Sequence, residues 1–217
     1  MSCWGIFEDF LFRWQTLITG VLALVAAFVA LRPVYGQLKL MREQNKVMLR
    51  STINEMMVSL DRDLASTHEI IDKRFGQVAQ DLGYFEDHGD PPSIAEWASE
   101  RDESIRAVIR ELKEIFFRNH DVEPVEEYKG DLILALDDLS ECLDAIYTPQ
   151  WYWTHPDHDW SKDEEKKAVE KAKTAEKEVR DHVRRVAVAA ARLSAAREGQ
   201  RAVYSHRLRA IDDALLV

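Results

Sequence analysis

The chain has 217 residues, with 29 Lys plus Arg against 39 Asp plus Glu and a formal net charge of −10. At 46% hydrophobic and 31% charged it is too balanced for a disordered tail, and 8 Gly with 6 Pro are too few turn formers for a sandwich, a barrel or a collagen-like array. Two cysteines, Cys3 and Cys142, supply neither a disulfide framework nor a four-cysteine zinc site, which suits a reducing compartment for the bulk of the chain.

Residues 1–13 bring Trp4, Phe7, Phe10, Leu11 and Phe12 together ahead of Trp14, an aromatic cluster suited to the headgroup layer, and are read as an interfacial N-terminal segment. Between Arg13 and Arg32 stand eighteen residues without a charge, Trp14 to Leu31. A helix of that length spans roughly 27 Å, close to the thickness of a bilayer core, so residues 14–35 are read as one transmembrane anchor. A cleaved signal peptide fits less well, because Glu8 and Asp9 sit where such a peptide carries basic residues. Lys and Arg resist export, and Arg32, Lys39, Arg42, Lys46 and Arg50 follow the span while Arg13 alone precedes it. The expected topology is single-pass, with the N-terminus outside and the C-terminal bulk cytoplasmic. Thr19, Ala23, Ala27 and Ala30 recur at spacings 4, 4 and 3, which lets two anchors approach closely and would give a homo-oligomer.

The run WQTLITGVLALVAAFVALRPVYGQL resembles the N-terminal anchor of a loose set of uncharacterised bacterial single-pass inner-membrane proteins, which place a Trp-Gln-Thr-Leu start before a helical cytoplasmic region. The resemblance covers about a fifth of the chain. It implies a bacterial inner-membrane location and brings no activity or site residues with it.

The rest, residues 36–217, is expected to be all-α: a long-helix antiparallel bundle with coiled-coil-like packing. Leu49, Ile53, Met56, Leu60, Leu64, Thr67, Ile71, Phe75, Val78 and Leu82 step by three and four residues, averaging 3.67, which keeps one face of a nearly straight helix aligned. This predicts a first helix over 36–82, ended by Gly83, Gly89 and Pro91-Pro92. Ser93 with Glu96 makes a capping box for a second helix over 93–118, and Pro124 lies in the break after it. Leu132, Leu136, Leu139, Leu143 and Ile146 mark a third helix over 127–147, stopped by Thr148-Pro149. Ser161 with Glu164 repeats the capping box before a fourth helix over 161–216, with a break near Gly199. Alternating directions bring the fourth helix back beside the first, with the middle two making a short excursion. The charges agree: residues 51–160 hold 9 basic against 26 acidic residues, while 161–217 hold 14 against 10. So acidic an excursion is a poor surface for phosphates, and nucleic acid is excluded as a partner.

The sharpest local feature is residues 148–160, TPQWYWTHPDHDW. His155, His158 and Asp159 are candidate metal ligands by donor type, and with His120 and Asp121 they would support a metal-dependent hydrolase as the alternative function. The plainer reading is a loop whose His and Asp are solvated and whose rings form an apolar flap over the bundle, or in which Trp151, Trp153 and Trp160 contact a partner. Asp137, Glu141 and Asp144 read as a solvated stripe, and Cys142 as a small core residue beside the leucine seam. No histidine has a glutamate three residues before it, as a di-iron bundle needs, and the glycines form no phosphate loop. Without a constellation assembled for catalysis, the expectation is a non-enzymatic membrane-anchored interaction or scaffold module, needing no cofactor, whose partners are the lipid bilayer and a protein.

Overall fold

In a computed structural model of the chain, residues 3–89, 93–117, 123–154 and 161–215 are described, and every element among them is helical. Helix α1 runs Cys3–Ile70, a π-helical turn follows over Ile71–Phe75, and α2 covers Gly76–His88. Three more helices follow: α3 over Ile94–Phe116, α4 over Glu123–Thr154 and α5 over Lys162–Leu215. The chain divides into two compact units, one of Met1–Asn54 with Arg207–Val217, the other of Glu55–His206.

The second unit holds the main core. α3 packs against α4, and the buried set draws on α2 to α5: Val78 and Leu82, Ile105, Val108 and Leu112, Leu132, Leu136, Leu139 and Leu143, and Val186 and Leu193. All five apolar residues expected to form the α4 seam are buried. On α5, Ala172, Ala175, Val179, Val186 and Leu193, three, four or seven residues apart, are buried along one stripe. The returning helix is tied to the acidic part of the chain, with Arg180 Nε at 3.4 Å from Glu86 and Arg201 Nε at 2.8 Å from Asp61. Such exposed pairs add little stability and chiefly fix which sides of the helices meet.

Leu60, Thr67, Ile71, Phe75, Val78 and Leu82 are buried along α1 and α2. Thr67, Ile71 and Phe75 are two consecutive four-residue steps, which outrun an ideal 3.6-residue turn. The π-helical turn absorbs the surplus, the Gly76 N–H bonding back five residues to the Ile71 carbonyl. Leu49 and Met56, expected on this face, are exposed.

Several predicted boundaries are corrected. α1 is continuous from Cys3 through Pro33 and Gly36, so the first helix, expected to begin at residue 36, is already running at Cys3. One internal proline removes one hydrogen-bond donor and kinks a helix without necessarily ending it. Helix also continues past Gly83 to His88, where a glycine costs only about 1 kcal/mol against alanine and Phe85 packs edge-on against Trp97 with ring centroids 5.5 Å apart. α4 starts at Glu123, earlier than expected, because Pro124 falls in the first turn, where no N–H is needed. Gly199 lies inside an unbroken α5.

Both serines cap their helices, and the box is reciprocal at Ser161. Ser93 Oγ accepts from the Glu96 N–H at 3.2 Å. At Ser161 the exchange is reciprocal: its Oγ accepts from the Glu164 N–H at 3.3 Å, and Glu164 Oε2 accepts from the Ser161 N–H at 3.0 Å. The Ser161 hydroxyl, donating to Glu164 Oε2 at 2.7 Å, and then the Ser161 N–H hold the Glu164 carboxyl below its ordinary pKa.

In the first unit, the end of α5 lies along α1. Lys46 Nζ donates to the Ala214 carbonyl at 2.8 Å, Arg50 Nε donates to Asp212 at 2.6 Å, and Ile53 is buried. Nearer the N-terminus, α1 is long and apolar enough to cross a membrane: its best window has mean hydropathy 2.2 and none of it is buried.

Candidate functional site

Residues 148–154, expected to be loop, are the last two turns of α4. Pro149 deprives the Ala145 carbonyl of its helical partner, a defect worth about 3 kcal/mol in an isolated helix. Here tertiary contact overrides it. Pro149 is itself buried, and the Ser93 hydroxyl at the α3 cap donates to Gln150 Oε1 at 3.4 Å. Thr148 Oγ1 donates to the Asp144 carbonyl at 2.7 Å, and Thr154 Oγ1 closes the helix end by donating to the Trp151 carbonyl at 2.9 Å.

Two of the three tryptophans singled out from the sequence are thereby fixed on a helix. Trp151 is half-buried, whereas Trp153 is 62% exposed and its indole N–H donates to Glu165 Oε1 at 2.9 Å, bridging α4 to the start of α5. The apolar-flap reading fails for Trp153, since a ring closing a core has its faces covered. Trp160 lies outside the described residues, as do His155, His158 and Asp159 and the pair His120 and Asp121. Among the described residues no cluster of three or more His, Cys, Asp or Glu is placed to hold a metal.

The same end of the unit adds aromatic surface that the sequence did not announce. Tyr84 is exposed on the last turns of α2 and stacks on His88 at 4.2 Å with the planes 7° apart. Behind it the end is rigid. Trp97 is buried at 7% exposure, and its indole N–H donates to Asp81 Oδ2 at 2.8 Å, an oxygen that also accepts from Arg101 Nε at 2.7 Å. An exposed ring on a firmly held scaffold loses little entropy on contact, which is why Trp and Tyr serve as interface anchors.

Two further places carry polar chemistry. Between α4 and α5 a groove of about 320 Å³ is lined by Asp138, Glu141, Cys142, Lys171, Glu178 and His182. Cys142 donates its S–H to the Ala175 carbonyl at 3.3 Å; burial pushes its pKa up to about 11, the negative charge of Glu178 adds to this, and Arg185 opposes it. A thiol so placed stays protonated at neutral pH, the reverse of an activated nucleophile. Where α3 meets α4, two buried cations stand over one ring: Lys129 Nζ and the Arg197 guanidinium are each 5.5 Å from the Phe116 centroid. Lys129 pairs with Glu126 at 2.9 Å, and Arg197 donates to Thr67 Oγ1 at 2.8 Å and to the Asp63 carbonyl at 3.2 Å. Beside them an apolar hollow of about 380 Å³ is rimmed by the exposed Phe117 and Leu134.

Searches against protein-family models, curated proteins and solved structures find no match to this chain.

Proposed function

We propose that the protein is a membrane-tethered helical interaction module, non-enzymatic, held in a bacterial inner membrane by the N-terminal part of α1. The observation that carries the reading is an eighteen-residue run without charge, on a helix whose most apolar window has no buried residue among those described. Leaving that much apolar surface in water is costly at about 25 cal/mol per Å², and a bilayer is the solvent that removes the cost. Arg32, Lys39, Arg42, Lys46 and Arg50 after the run, against Arg13 before it, favour a cytoplasmic location for everything beyond. The partner is a protein met through the aromatic end of the second unit, where Trp153 and Tyr84 are exposed and Trp151 half-exposed.

Paired reporter fusions after Val217 test the reading. A reporter active only in the cytoplasm is expected to work there, and one active only in the periplasm to stay silent. Periplasmic activity would overturn the orientation, and recovery of the chain in the soluble fraction would overturn the anchor.

A further inference from the structure

The small-residue series Thr19, Ala23, Ala27 and Ala30 does not end at the membrane boundary. Carried on along the helix by steps of 4, 4, 3, 4, 3 and 4, it becomes Val34, Leu38, Met41, Asn45, Met48 and Thr52. Over these 33 residues the average step is about 3.67, so at about 100° per residue all ten positions share one stripe of α1. The stripe contains no charge. Val34 closes the anchor, and the apolar members beyond it, Leu38, Met41 and Met48, are between 46% and 67% exposed, which is unusual for three large apolar side chains in register on a surface that meets water. The end of α5 does not cover them, for it binds the side carrying Lys46, Arg50 and Ile53, roughly 100° around the helix.

We propose that this stripe is the seam of a parallel, in-register homodimer, running without interruption from the membrane anchor into the stalk. The proposal rests on the anchor reading above, because two copies inserted in the same direction necessarily align parallel, with each seam residue beside its own counterpart. That pairing suits the sequence. Ala23, Ala27 and Ala30 let the backbones approach closely where apolar burial gives no driving force, and the Thr19 hydroxyl is already satisfied by the Gln15 carbonyl at 2.7 Å. Asn45 meets Asn45, each amide offering the other a donor and an acceptor, the arrangement by which one polar seam position fixes register in parallel pairs. Over 38–52 the spacing is heptad, which sets the flanks as well: Gln37 of one copy faces Arg42 of the other, and Gln44 faces Leu49, so no like charges oppose each other.

Area decides how far the seam must extend. Covering a Leu or Met side chain removes about 60–100 Å² from water, so the three stalk residues remove about 360–600 Å² over two copies. A stable interface needs roughly 1,200 Å² or more. The stalk alone falls short, and the anchor must supply the remainder.

The test is disulfide cross-linking of the full chain in native membranes, with Cys3→Ser as background. Leu38→Cys and Asn45→Cys are expected to give covalent dimers on mild oxidation, at least about fivefold more than Leu40→Cys and Val47→Cys at the same heights on the opposite side. Adding Ala27→Leu in the anchor is expected to lower cross-linking at Asn45→Cys severalfold. Equal cross-linking on both sides, or none at 38 and 45 in chain that stays with carbonate-washed membranes, would overturn the seam and leave the anchor reading standing. Cross-linking at 45 indifferent to Ala27→Leu would overturn its continuity into the membrane. Loss of the chain from the membranes would instead overturn the anchor reading, and the seam with it.

Discussion

Trp153 and Trp97 belong to the same end of the second unit, and truncating each to alanine separates a contact residue from a core residue. A tryptophan side chain presents about 200 Å². Trp153 is 62% exposed, so roughly 75 Å² is covered, worth about 2 kcal/mol, and its single hydrogen bond to Glu165 lies at the surface. Trp97, 7% exposed, covers roughly 185 Å², worth about 4–5 kcal/mol, and its loss also strands part of the Asp81 hydrogen bonding and the edge-on contact with Phe85. In thermal unfolding of the detergent-solubilised full chain, followed by circular dichroism, Trp153→Ala is expected to lower Tm by about 4–8 °C and Trp97→Ala by at least about twice as much. In cross-linking from native membranes, Trp153→Ala should nevertheless abolish partner capture. If Trp153→Ala costs as much stability as Trp97→Ala, the ring is buried by something within the chain and the contact reading is refuted.

Arg197→Ala removes a buried guanidinium from Thr67, the Asp63 carbonyl and the Phe116 ring, and should cost about 3 kcal/mol by denaturant titration, whereas Arg197→Met keeps the packing and should cost less than half of that. The folded-state pKa of Cys142 is raised from 9.0 to about 11, so the stability it contributes is fully present below pH 9 and lost as pH rises through 11; Cys142→Ala should flatten the alkaline limb of a stability-against-pH curve, and the native thiol should resist maleimide at pH 7. Ser161→Ala breaks a reciprocal cap and should cost about 1 kcal/mol, with faster amide exchange confined to the first turn of α5. Because the Glu164 pKa is depressed, the cap's contribution is complete above the ordinary carboxylate pKa and falls away as acidification passes the lowered value.

The features legible in the sequence are those decided locally or by periodicity. Ser93 and Ser161 cap helices because a hydroxyl three residues before an N–H can reach it whatever the tertiary context, and Leu132 to Ile146 are buried because their spacing permits one face only. Breakers were less informative. Pro149 and Gly199 carry intrinsic costs of about 3 and 1 kcal/mol, yet helix continues through both; at Pro149, burial and the contact between Gln150 and the α3 cap come from segments distant in sequence and leave no trace in the local pattern. The burial of Lys129 and Arg197 was equally hidden, since composition places such residues at the surface and partners from distant segments, among them the Phe116 ring, Thr67 and the Asp63 carbonyl, make an interior position tolerable. At the candidate site the sequence located Trp151 and Trp153 and assigned them to a loop; a helical backbone holds them instead, and the stacked Tyr84 and His88 came from a helix expected to stop at Leu82.

The π-helical turn at Ile71–Phe75 makes this stretch a place where the number of residues matters more than their identity. Asp72 and Lys73 are exposed, so substitution there touches little. Deleting either one would remove the surplus residue and let the turn close into a regular helix, leaving the faces beyond it nearly where they are. Inserting one more, with the turn already widened, would swing the residues beyond it by about 100°, so that Val78 and Leu82 would leave the core together and Asp81 would lose both Trp97 and Arg101. The segment thus acts as a phase setter between two stretches of helix, tolerant of nearly any side chain at its exposed positions and of the loss of one residue, and intolerant of the gain of one.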